Sequence, residues 1–60
     1  MSKKSEAIDA LMDAAAVAVQ VLNDYGPRSN EAIEAVTATI DARDRAWNAG
    51  ATDDEIRQRL

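Results

Sequence analysis

The stretch Ala7-Ile8-Asp9-Ala10-Leu11-Met12-Asp13-Ala14-Ala15-Ala16-Val17-Ala18-Val19-Gln20-Val21-Leu22 decides the fold. At about 100° per residue, Ile8, Leu11, Met12, Ala15, Val19 and Leu22 fall on one stripe of a helix. Ala10, Ala14, Val17 and Val21 form a second, adjoining stripe, with Ala7 and Ala18 between the two. Glu6, Asp9, Asp13, Gln20, Asn23 and Asp24 are confined to a narrow polar back. A surface helix needs one apolar stripe a little over about 100° wide, and this one carries roughly twice that. It therefore expects two packing partners. Alanine alone is tolerated in water, but Val17 and Val21 are costly to expose. The second stripe, Ala10, Ala14, Val17 and Val21, is accordingly the expected assembly surface.

Outward from this stretch, the first helix is expected over about residues 6–24, with Ser2 or Ser5 as its cap. Gly26 and Pro27 stop it, and Tyr25 is expected to fold back over its end. A second helix is expected over about 30–49, capped by Ser29 or Asn30. Its Ile33, Val36, Ile40 and Trp47 form a stripe read as core, with Arg43 in line and the small Ala35, Ala42 and Ala46 beside it. Asp41 and Arg45 are spaced to pair. The tight link makes the two long helices antiparallel neighbours.

Ala49-Gly50 ends the second helix, and Thr52-Asp53-Asp54-Glu55 starts a third over about 53–60. Thr52 and Glu55 have the spacing of a capping box. Asp53–Arg57 and Glu55–Arg59 are spaced to pair along this helix. Ile56 and Leu60 give it one apolar edge, expected to close over Trp47. The fold class is therefore all-α, an antiparallel hairpin with a short third helix, forming a single small domain over 1–60.

The chain has 60 residues, no Cys, no His and a net charge of −4. So short a chain buries only about 60% of its unfolded surface and usually needs a disulfide, a metal or oligomerisation. Without Cys there is no disulfide and no thiolate site. Without His the commonest metal ligand and general base are both missing. Oligomerisation remains, and a homodimer with a four-helix core is the expected form. The acidic balance argues against coating nucleic acid. The basic start, Lys3-Lys4, is followed by acids instead of a signal-peptide core, and Ala14 to Leu22 is too short to span a bilayer. The expected location is cytoplasmic.

Catalytic chemistry finds little to work with. Glu6, Asp9 and Asp13 line one side of the first helix at a spacing open to a hard cation, but a solvated polar face is the simpler reading. They are instead candidate contacts for a basic partner. Ser2, Ser5 and Ser29 all stand at helix starts with capping roles available, and Gly26 and Gly50 are helix stops, not parts of a phosphate loop. No enzyme activity, cofactor or metal is expected.

Residues 46–60, AWNAGATDDEIRQRL, resemble the scaffold half of bacterial helix-turn-helix regulators. There, a helix ending in Ala-Gly is followed by a Thr- or Ser-capped acidic-Ile-x-x-x-Leu helix. The resemblance implies an ancestry among regulators. In that family a glycine-containing turn and a recognition helix follow the position of Leu60, so no DNA-contacting residue is carried over. The expected function is a non-enzymatic interaction module, a small acidic regulator or inhibitor that binds a larger protein. The alternative is a truncated helix-turn-helix regulator reaching nucleic acid through Arg43, Arg45, Arg57 and Arg59. The acids Asp41, Asp44, Asp53, Asp54 and Glu55 in the same region oppose it.

Overall fold

Each helix begins where a short polar side chain satisfies otherwise unpaired backbone N–H groups. In the structure, a computed structural model that describes residues 2–59, α1 spans Lys3–Tyr25, α2 Asn30–Asn48 and α3 Asp53–Gln58. Ser2 caps α1, its hydroxyl accepting from the Ser5 N–H at 3.1 Å. Ser5 is thereby inside the helix, which begins three residues ahead of the expected start at Glu6. Ser29 caps α2 by accepting from the Ala32 N–H, and its own hydroxyl donates to the Gly26 carbonyl at 2.8 Å. That second bond braces the turn between the long helices. At Thr52 both limbs of the capping box are formed, each at 3.2 Å.

The exit from α2 is equally determined. Gly50 has φ +99°, a backbone state open to glycine without steric cost. From there the Gly50 N–H donates to the Trp47 carbonyl at 3.0 Å and the Ala51 N–H to the Ala46 carbonyl at 2.9 Å. These are the two bonds of a Schellman motif. Its usual apolar contact is present too, since Ala46 and Ala51 are buried in one cluster.

The hairpin is all-α, as expected, and α1 and α2 pack along their length. Its seam follows a 3-4-3-4 spacing on both helices, the repeat of left-handed helix pairs. On α1 the seam is Ile8, Leu11, Ala15, Ala18 and Leu22, and on α2 it is Ala32, Ala35, Thr39, Ala42 and Ala46. The α2 seam lies one residue, about 100°, away from the expected stripe. Ile33, Val36, Ile40 and Trp47 are consequently exposed, and the alanines beside them are inside. Methyl side chains let two helices approach at the short end of the usual interaxial range of about 8–10 Å. A stripe of isoleucines facing α1 would hold the helices apart.

Helix α3 folds across the open end of the hairpin. Its Ile56 packs on the cluster of Ile8, Leu11, Ala42, Ala46 and Ala51, to which Trp47 does not belong. Trp47 instead meets α3 through a hydrogen bond, Nε1 donating to Asp53 Oδ1 at 2.9 Å. Leu60, expected over Trp47, lies outside the described residues. Tyr25 is exposed instead of folded over the α1 end.

Candidate interaction surface

Beside the α1 and α2 seams runs a shallow groove of about 220 Å³ on one side of the hairpin. Leu11, Met12 and Ala15 form its α1 wall, Thr39, Ile40 and Arg43 its α2 wall, and Asp53 and Ile56 of α3 close one end. Small-molecule pockets run to about 300–1,000 Å³, so the space suits one or two side chains better than a metabolite. Its polar groups are already engaged. Arg43 stacks 4.5 Å from the Trp47 ring centroid and lies 3.8 Å from Asp44, while Asp53 accepts from Trp47.

Beyond the groove the same side of the hairpin continues as an apolar strip toward the turn. Val19 of α1 is 60% exposed and Ile33 of α2 is 56% exposed, with Val36 and Ile40 also open to solvent. No charged side chain occurs from Ala14 to Asn23. Sequence reading missed this face because it placed Ile33, Val36 and Ile40 inside. The signal that locates it is the Ala32, Ala35, Ala42, Ala46 spacing, which with Thr39 makes a complete seam by itself.

The four residues expected to assemble the protein lie on the opposite flank of α1. There Ala10 and Val17 are exposed, Val17 by 54%, while Ala14 and Val21 are half-buried against the hairpin. The backbone carbonyl of Ala14 accepts from Thr39. On α2 this flank carries Glu31, Glu34, Asp41 and Arg45 by helical spacing.

Of the acids expected to meet a basic partner, Glu6, Asp9 and Asp13 are all exposed. Asp9 is already paired with Arg59, which reaches back from α3. Lys4 Nζ lies 2.7 Å from Glu55 on α3, so a second ion pair ties the same two elements. These replace the local pairs expected within α3. Arg57 pairs with Asp54 at 3.7 Å, and neither Asp53–Arg57, Glu55–Arg59 nor Asp41–Arg45 is among the ion pairs of the described residues. The bond from Lys4, with the Thr52 N–H second, holds the Glu55 carboxyl below the usual carboxylate range. Among the described residues no group of acids or other ligands is arranged to hold a metal ion, and no helix is long and apolar enough to cross a membrane.

No protein-family model, curated protein or solved structure matches this chain.

Proposed function

We propose that the protein is a non-enzymatic interaction module, a small acidic regulator or inhibitor that works as a homodimer and occupies a surface on a larger protein. The observation that carries this reading is an inversion of size across α2. Its alanines face α1, while Ile33, Val36 and Ile40 face solvent. An apolar strip of that extent on a small soluble protein marks a contact surface. Among the described residues of the hairpin the large buried side chains are Ile8 and Leu11, the rest of the core being alanine, so covering the strip adds to the marginal stability of a 60-residue chain. Serine chemistry is committed to structure, since Ser2 and Ser29 cap helices. The nucleic-acid alternative is weakened because Arg43, Arg57 and Arg59 are each held by a nearby acid.

Light scattering behind a sizing column tests the reading. The expected mass at micromolar concentration is that of two chains, with a melting temperature that rises with concentration because association is linked to folding. A single-chain mass with a concentration-independent melt overturns the homodimer.

A further inference from the structure

We propose that the groove side of the hairpin, and not the Val17 side, is the surface that receives a second copy of this chain, and that the two copies pack antiparallel. The inference rests on the homodimer reading above and specifies its face and its symmetry.

Three observations select the face and its occupant. The first is charge. With a net charge of −4 per chain, two copies repel, and burying unpaired carboxylates between them adds a desolvation cost. The Val17 side carries Glu31, Glu34 and Asp41 against the single cation Arg45 on α2, whereas on the groove side Met12, Ala16, Val19, Ile33, Val36 and Ile40 make an uncharged strip. The charges at its end, Arg43 and Asp53, are both engaged with Trp47.

The second is symmetry. A two-fold contact is self-complementary, so its apolar strip must look the same from both ends. On α1 the outer residues Met12 and Val19 centre on Ala15–Ala16. On α2 Ile33 and Ile40 centre on Val36–Thr37. The hydrogen bond from Thr39 to the Ala14 carbonyl sets Ala14 level with Thr39, which brings those two centres level to within about one residue, or 1.5 Å along a helix. One axis, lying across both helices at that level, therefore serves both. It sets Val36 against Val36 of the second copy, Ile33 against Ile40 and Met12 against Val19.

The third is extent. The molecule measures 34 × 18 × 18 Å. Two of its long sides laid together remove on the order of 1,000 Å² in total, the lower bound of a specific interface. Antiparallel packing also keeps the two α3 helices apart, because Asp53 and Ile56 rise at one end of each groove. A head-to-head pair brings both of them to the same end.

The chain has no cysteine, so single-cysteine variants report the arrangement directly. Val36→Cys is expected to form a disulfide-linked dimer on mild oxidation, while Val17→Cys stays monomeric on a denaturing gel. Ile33→Asp is expected to shift the native mass from two chains to one with helicity retained, and Val17→Asp to leave it at two. A wild-type mass of two chains with cross-linking through Val17→Cys, or through Val36→Cys only when Ala16→Cys is supplied on the other copy, overturns the proposed face or the antiparallel order. The homodimer reading survives that result. A single-chain wild-type mass overturns both. If Ile33→Asp fails to fold, the Val36→Cys and Val17→Cys pair still decides.

Discussion

The Thr39 hydroxyl on α2 lies 3.2 Å from the Ala14 carbonyl on α1, and among the described residues this is the only side-chain hydrogen bond between the two long helices. The same hydroxyl lies 2.9 Å from the Ala35 carbonyl one turn back, so one proton is shared between a local and a long-range acceptor. Among the methyl groups of the α2 seam it is the one polar contact that ties a residue to a particular level of α1. Thr39→Val keeps the shape and removes the proton donor. The expected loss is about 0.5–1.5 kcal/mol, read as a lower midpoint in a thermal melt followed by circular dichroism. An unchanged midpoint shows that the alanines alone hold the register.

Leu11 is the larger anchor, buried in the cluster where all three helices meet. Leu11→Ala is expected to remove about 2–5 kcal/mol. A chain of this length has a total stability of only about 3–9 kcal/mol, so urea denaturation should find much of the variant unfolded before denaturant is added. A midpoint within experimental error of wild type places the core elsewhere.

The lowered pKa of Glu55 gives acid a specific target. The folded state binds that proton less readily than the unfolded chain, so the carboxylate stabilises the docked α3 above the ordinary carboxylate pKa. This contribution is lost as pH falls through the lowered folded value. Its first cause is the bond from Lys4 on α1, so protonation loosens the α1–α3 tie and with it the Asp53–Trp47 hydrogen bond. Trp47 emission should shift to the red across that acid range, and Glu55→Gln should show the shifted emission already at neutral pH. Identical emission from wild type and variant at neutral pH would show that the Lys4 pair does not hold α3.

Gly50→Ala tests the hinge before α3. An added Cβ meets nothing within 4 Å, so the cost is conformational, about 1–2 kcal/mol for a left-handed backbone state. The expected signature is faster amide exchange in α3 than in α1. If α1 and α3 lose protection together, the third helix is not a separable unit.

How much of this was legible in the sequence depends on the range of each interaction. Ser29, Thr52 with Glu55, and Gly50 act on backbone within a few residues, and each occupies the place its local chemistry dictates. Hairpin topology followed from the tight turn at Gly26-Pro27. The rotation of α2 did not follow, because Ile33-Val36-Ile40 and Ala32-Ala35-Thr39 are equally regular helical stripes. Residue-by-residue transfer energies favour the isoleucines inside. What decides is the separation of two helices, which belongs to the pair and is written in neither alone. The ties Lys4–Glu55 and Arg59–Asp9 were hidden for the same reason, since they exist only once α3 has been folded back onto α1.

The α2 half of the seam, built from alanine, reverses the ordinary vulnerability of a protein interior. Most cores fail when side chains are trimmed and a void is left. Ala46 has no exposed surface and only a methyl group to lose, so glycine there removes little packing and costs chiefly helix propensity, while valine or leucine must push the neighbouring helix away. Mutational drift in this chain is therefore one-sided. Ala32, Ala42 and Ala46 can shrink but cannot grow, and this ceiling on size, more than any hydrophobic identity, is what a lineage carrying this hairpin has to preserve.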